Sequence, residues 1–146
     1  VTMDRSSAST PVHLWLVGTV SLLWNAVGAF GYLGTQLELE AWLAQYSGGQ
    51  ADYYAAFPAW AVAFWALGVW GAVFGSVALL LRSRWAVALF ALSLIGLIGS
   101  SVYTYLLSEG AELMGAAGSV FSAVIFVVAV LLLVYARRMA ARGVLR

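Results

Sequence analysis

Four long apolar stretches constrain this chain more than any other feature of its sequence. They cover residues 12–33, 58–81, 85–107 and 114–135, and none contains an aspartate, glutamate, lysine or arginine. The hydrocarbon core of a bilayer is about 30 Å thick, and about 20 apolar residues in a helix cross it. Because backbone groups in lipid must bond internally, the stretches predict helices rather than open strands. The predicted fold is all-α, a four-helix transmembrane bundle forming one membrane domain over residues 1–146.

The overall composition agrees with this fold. The chain is 64% hydrophobic and only 9% charged, whereas a soluble domain carries about 25% charged residues. Much of its surface must therefore face lipid. The first stretch is longer than the apolar core of a secretory signal and precedes no clear small-x-small cleavage site, which predicts that it is an uncleaved span.

Charged residues are divided between the two ends of the predicted bundle. In a four-span chain, the N-terminus, the second loop and the C-terminus share one side. All seven arginines lie there: Arg5, Arg82, Arg84, Arg137, Arg138, Arg142 and Arg146. Five of the six acids lie in the other two loops: Glu38, Glu40, Asp52, Glu109 and Glu112. The positive-inside rule then predicts that both termini are cytoplasmic.

The first outer loop is long enough to hold structure of its own. Thr35-Gln-Leu-Glu38 matches the capping-box pattern that begins a helix. Four residues then fall on one helical face: Leu39, Trp42, Leu43 and Tyr46. They predict a short amphipathic helix in the membrane interface over residues 36–46. Three roles are open for it: covering the outer end of the bundle, closing an outward pocket as a lid, or docking another protein.

Asn25 is the most informative polar residue, because it is the only carboxamide inside a predicted span. A buried amide needs hydrogen-bond partners. It either bonds across to a neighbouring helix or contacts a bound small molecule. Trp24 and Trp70 are expected at a similar depth. The candidate ligand or helix-contact residues are Trp24, Asn25, Trp70, Ser100 and Thr104.

Small residues recur at four-residue spacing in three of the spans. The third span carries a stripe of four, Ser93, Gly96, Ser100 and Thr104. The second span has a GxxxG pair, Gly71 and Gly75. The fourth span has an equivalent series, Gly115, Ser119 and Ala123. Small residues let membrane helices approach closely, and their hydroxyls bond between helices. The stripes therefore predict helix packing or, alternatively, an outward-opening vestibule.

Several chemistries lack the residues that they need. There is no cysteine and only one histidine, His13, which leaves thiolate chemistry and a bis-histidine haem without ligands. Ion-coupled carriers place an ionisable group in the membrane, and the predicted spans contain no aspartate, glutamate, lysine or arginine. We therefore expect no catalytic residue, no metal, no cofactor and no nucleic-acid partner. The sequence therefore predicts a protein that is not an enzyme.

Three short motifs together resemble a known type of membrane protein. They are Leu23-Trp24-Asn25-x-x-Gly28-x-x-x-Tyr32, Phe57-Pro58-x-Trp60 and the arginine-rich C-terminal end. This layout is similar to a family of small four-span bacterial inner-membrane proteins that are often named "sugar transporter". The resemblance implies a bacterial inner membrane and carries no functional residue.

Two functional hypotheses follow from the sequence. In the first, the protein is an accessory or assembly subunit that packs against another membrane protein, or itself, through its glycine- and serine-rich faces. In the second, it is a small oligomeric transporter or binding protein for a neutral sugar-sized or lipid-like solute. Both place the chain in a lipid bilayer.

Overall fold

The computed structural model describes residues 9–146, which form six helices. In chain order they are α1 (Val12–Gln36), α2 (Glu40–Leu43), α3 (Gln50–Ala55), α4 (Ala59–Leu80), α5 (Trp85–Leu106) and α6 (Gly110–Ala141). Helices α1, α4, α5 and α6 are long and apolar enough to cross a membrane. The predicted all-α fold with four spans is confirmed. Arg5, one of the seven arginines, lies outside the described residues.

The first loop differs from its prediction in detail. It holds two short helices, α2 and α3, in place of one helix over residues 36–46. Thr35 does not cap a helix; it lies in the last turn of α1 and its hydroxyl donates to the Gly31 carbonyl at 2.9 Å. The chain then turns at Glu38, where φ is 52°. The capping-box prediction was wrong because Trp42 returns onto α1, where its indole N–H donates to the buried Thr35 hydroxyl at 3.2 Å.

The spans are joined in a row, in which α1 packs on α4, α4 on α5 and α5 on α6. One end of this row, the arginine end, carries the turn between α4 and α5 with Arg82 and Arg84. The C-terminal residues return to that turn: the Arg146 N–H donates to the Arg82 carbonyl at 2.7 Å, and the Arg84 N–H donates to the Arg146 carbonyl at 2.8 Å. The opposite end, the loop end, carries α2, α3 and the loop between α5 and α6.

Helices α4 and α5 form the closest pair because glycines meet at their crossing. A Cβ atom at Gly96 would collide with the backbone nitrogen of Gly68. The Ser93 hydroxyl donates to the Gly68 carbonyl at 2.6 Å. Phe90 lies against Gly75, where a Cβ atom would again find no room. Small residues thus bring the two backbones together and let a hydroxyl bond between them.

The apolar core is concentrated at the arginine end. Its fully buried large side chains are Leu14, Leu79, Phe90 and Leu145, which come from α1, α4, α5 and the C-terminal segment. Leu132, Ala136 and Met139 of α6 join them. All four spans therefore meet at this end of the bundle.

Helix α6 behaves differently over the rest of its length. Its buried residues are Gly110 at one end and Leu132, Ala136 and Met139 towards the other, with none between. Its first turn is set off by a kink at Gly115, where φ is 68° and ψ is −173°. A Cβ atom at Gly115 would meet nothing within 4 Å, so this glycine serves the kink and not the helix contact predicted for it. The middle of α6 consequently stands away from the bundle.

Candidate functional site

A cavity of about 370 Å³ opens where α6 stands away from the other spans. All four spans line it, at Asn25 of α1, Ala72 of α4, Ser93 of α5 and Ile125 of α6, and Trp42 of α2 closes it towards the loop end. It extends from Gly31 and Trp42 towards the loop end to Phe90 and Leu132 near the apolar core. A volume of this size falls within the range of about 300–1,000 Å³ that small-molecule sites occupy.

Asn25 sits at the wall between this cavity and α4. Its amide nitrogen donates to the Ser76 hydroxyl at 2.9 Å and to the Ala72 carbonyl at 3.2 Å. Ser76 is fully buried, and it also accepts a hydrogen bond from Ser21 at 3.1 Å. Both amide hydrogens of Asn25 are therefore used between α1 and α4. No described residue donates to its carboxamide oxygen, which remains able to accept a hydrogen bond.

Aromatic side chains form much of the remaining wall. Trp24 of α1 reaches Phe121 of α6, with ring centroids 6.0 Å apart, and so bridges the side on which these two helices face each other. Trp65 of α4 also lines the cavity and packs edge-on against Tyr32 at 5.0 Å. Rings of this kind offer large apolar surfaces that suit an apolar ligand.

A second cavity of about 330 Å³ adjoins the first towards the loop end. The two share part of their walls, including Trp65, Leu97 and Phe121. The second cavity is richer in polar side chains. Those that line it are Gln50, Tyr54, Ser100, Ser101, Thr104, Tyr105 and Ser122.

Two tyrosines give the second cavity its chemistry. The Tyr105 hydroxyl is buried and has no hydrogen-bond partner among the described residues. Tyr54 lies on α3, outside the spans, and burial raises the pKa of its hydroxyl, with the neighbouring Tyr46 and Tyr53 adding to the rise. Tyr54 therefore stays protonated and able to donate. Gln50 fixes α3 over this cavity, because its amide nitrogen donates to the Leu113 carbonyl at 3.1 Å.

The predicted site residues are only partly brought together. Trp24, Asn25 and Ser100 line the first cavity, and Ser100 and Thr104 line the second. Trp70 lines neither cavity; it packs against Tyr32 and Phe74, with centroid distances of 6.3 and 6.1 Å. It lies five residues, more than one helical turn, from Trp65, so the two rings leave α4 in different directions.

The lining residues that sequence reasoning missed include Trp65, Tyr105 and Phe121. Tyr105 and Trp65 each fit an interfacial aromatic belt equally well, so their residue types carried no distinguishing signal. The spacing of Trp65 to Gly68 and Ala72, at i+3 and i+7, puts these three residues on one face of α4. That spacing was the sequence signal from which Trp65 could have been predicted as a lining residue.

The helices α1 and α6 are also linked near the arginine end. The Nδ1 atom of His13 and the Tyr135 hydroxyl form a hydrogen bond of 2.6 Å, and the rings meet edge-on at 5.7 Å. Together with the Trp24–Phe121 contact, this pair defines a side-chain seam between α1 and α6.

Metal-ligating side chains are not clustered in the part of the chain described. Within residues 9–146, no three histidine, aspartate or glutamate side chains lie close enough to hold a metal ion. Comparisons with protein-family models, with curated proteins and with solved structures find no match. The class of protein follows from the four spans: it is a multi-pass integral membrane protein.

Proposed function

We propose that this protein binds an apolar, lipid-like molecule inside the bilayer, as a small non-enzymatic binding protein or carrier. The observation that carries the proposal is the cavity of about 370 Å³ between all four spans. Membrane helices that pack only for stability close such spaces, because an empty volume forfeits contacts on its lining. The glycine-rich crossing of α4 and α5 illustrates that close packing within the same molecule.

The polarity of the wall favours a lipid-like ligand over a sugar. The Ser93 hydroxyl is already bonded to the Gly68 carbonyl at 2.6 Å, and the Ser100 hydroxyl to the Leu97 carbonyl at 3.1 Å. The amide hydrogens of Asn25 are bonded as well. A sugar would bring several hydroxyls into the first cavity and leave most of them unsatisfied, at a cost of roughly 1–3 kcal/mol each. An apolar chain brings no polar group of its own that would be left unsatisfied there.

We also propose that both termini face the cytoplasm of a bacterial inner membrane. The described arginines occupy the arginine end and the loop acids occupy the opposite end, which is the asymmetry expected from the positive-inside rule. The second cavity would then lie in the outer leaflet. Four spans are few for a monomeric carrier, so transport by this chain would require an oligomer.

Photolabelling with an alkane that carries a diazirine tests the proposal. The protein in lipid nanodiscs is labelled, digested, and the modified residues are identified by mass spectrometry. We expect enrichment on cavity residues such as Ala72 and Ile125 over exposed residues such as Leu16 and Val20. A uniform pattern over lipid-facing residues contradicts the proposal.

A pair of variants on α6 makes this experiment specific. Ala129 lines the cavity, whereas Ala123 is exposed on the same helix. Ala129→Phe should fill the space and abolish the enrichment, and Ala123→Phe should leave it unchanged. Equal labelling of both variants would remove the cavity as the explanation.

The accessory-subunit hypothesis stands as a second candidate, on one observation. Ala123 of α6 is exposed and Ser119 is half-buried, so these two small residues are free to pack against another helix. The glycines of α4, by contrast, are already used against α5. Purification in a mild detergent from native membranes tests it: a stoichiometric membrane partner supports the hypothesis, and the chain alone argues against it.

A further inference from the structure

The two adjoining cavities differ in polarity along the membrane normal. The deeper one is bounded by Phe90, Val128 and Leu132. The one at the loop end is bounded by hydroxyl and amide groups from three elements, including Tyr54 of α3, Thr104 of α5 and Ser122 of α6. The two cavities adjoin one another at Trp65, Leu97 and Phe121, which line both. An apolar interior followed by a polar mouth matches one leaflet of a bilayer, in which the acyl chains lie inside and the headgroups outside.

Charge is missing from this composite site. Neither lining includes an arginine, aspartate or glutamate from residues 9–146. An anionic headgroup such as a phosphate would be desolvated there without a cation to pair with, and burial of an unpaired charge is strongly unfavourable. A cationic head would equally lack a carboxylate. The headgroup that fits is neutral.

The polar groups at the mouth are mainly hydroxyls, which both donate and accept hydrogen bonds. The Tyr105 side chain lines this cavity, but its hydroxyl is closed off from the cavity and has no partner among the described residues, so a ligand reaches it only when the ring turns. A buried polar group without a partner is unfavourable until a second group satisfies it. The Tyr54 hydroxyl on the same wall offers a second donor for an oxygen atom.

We propose that the ligand is a neutral amphipath, with an apolar chain in the deep cavity and a hydroxyl- or carbonyl-bearing head between Tyr54, Thr104 and Tyr105. Monoacylglycerols and long-chain alcohols are of this chemical class. This inference rests on the proposed function and adds the nature and orientation of the headgroup. It places the head at the loop end, level with the polar headgroups of that leaflet.

Three probes that share one diazirine-bearing chain test the inference. One is the bare alkane, one a monoacylglycerol and one an alkyl sulfonate, which stays anionic at any working pH. The full chain in nanodiscs is labelled with each. The monoacylglycerol should label the cavity residues more efficiently than the sulfonate, by roughly tenfold, because only the charged head is desolvated without a partner.

Tyr105→Phe removes the unpartnered hydroxyl and keeps the ring. We expect monoacylglycerol labelling to fall by roughly three- to tenfold, as for the loss of one hydrogen bond, while alkane labelling stays the same. Tyr103→Phe is the matched control, since Tyr103 lies two residues away on α5 and lines neither cavity. Ser122→Ala is a second test of the mouth in case Tyr105→Phe does not fold.

The outcomes separate the two proposals. If the sulfonate labels as well as the monoacylglycerol, or if Tyr105→Phe and Ser122→Ala leave monoacylglycerol labelling unchanged, the headgroup inference is overturned. The proposed function survives that result as long as alkane labelling remains sensitive to Ala129→Phe. If alkane labelling is insensitive to Ala129→Phe, the proposed function itself fails.

Discussion

The side-chain amide of Asn25 on α1 donates to the hydroxyl of Ser76 on α4 at 2.9 Å, in the part of the spans where the first cavity begins. The same nitrogen reaches the Ala72 carbonyl at 3.2 Å. One polar residue therefore both holds two helices together and presents its remaining oxygen near the cavity. These two roles can be separated by mutation.

Asn25→Leu should destabilise the protein modestly. The change removes two hydrogen bonds between α1 and α4, and such bonds contribute about 0.6 kcal/mol each in membrane proteins. We therefore expect a loss of about 1 kcal/mol, measured as the free energy of unfolding in mixed micelles.

Controls for this prediction come from the same two helices. Thr19 is exposed on α1, so Thr19→Val should change stability little. Ser76→Ala removes the partner hydroxyl, and the double variant with Asn25→Leu should cost less than the sum of the two single changes. Strict additivity would show that the Asn25–Ser76 bond contributes nothing to stability.

Gly96→Ala should be among the most damaging conservative changes in the chain. The new methyl group would collide with the backbone of Gly68, which cannot move as a side chain could. Overpacking costs typically about 1–3 kcal/mol. Gly28→Ala is the matched control, because a Cβ atom there meets nothing within 4 Å. Equal thermal stabilities of the two variants would contradict the close α4–α5 crossing.

The spans could be predicted from sequence because length and apolarity decide them locally. An uncharged stretch of about 20 residues has few stable alternatives in a bilayer. The loop helix was less predictable, since Thr35 matches a capping box locally but its hydroxyl is used within α1 and by Trp42. Tertiary contacts decided between those two uses of the same residue.

The candidate site was predictable only in part for a similar reason. Asn25 could be predicted as a site residue because an amide inside a span must find hydrogen-bond partners. Trp65 and Trp70 are the same type of residue at comparable depth in α4. Only the rotation of α4 relative to its neighbours points Trp65 into the cavity. Residue type does not encode that rotation, and neither does it reveal that the middle of α6 stands away from the bundle.

Membrane orientation can be measured directly because the chain contains no cysteine. Ala44 after α2 and Ala141 at the end of α6 are both exposed and lie at opposite ends of the bundle. In intact bacterial spheroplasts, a membrane-impermeant maleimide should label the Ala44→Cys variant at once. It should label the Ala141→Cys variant only after lysis. The reverse pattern would invert the proposed orientation.

Alkaline pH should destabilise the protein through Tyr54. Burial raises the pKa of its hydroxyl in the folded state, while the unfolded chain ionises near pH 10. The stabilising contribution is therefore full below about pH 10 and is lost as the pH rises above it. Because the chain has no lysine, side-chain titration near that pH comes mainly from tyrosines. In the Tyr54→Phe variant, the melting temperature should fall less steeply as the pH rises above about 10. An equally steep fall in this variant would contradict the role given to Tyr54.

Gly115→Ala separates backbone strain from packing. Like Gly28, Gly115 has open space where a Cβ atom would lie, but its φ of 68° and ψ of −173° belong to a region that is essentially restricted to glycine. We expect Gly115→Ala to cost about 1–3 kcal/mol, whereas Gly28→Ala should be neutral or stabilising, because alanine is the better helix former. Differential scanning of both variants in one detergent measures the contrast. If both alanines stabilise the protein equally, α6 passes through Gly115 as a regular helix, and the kink cannot be what sets its first turn apart.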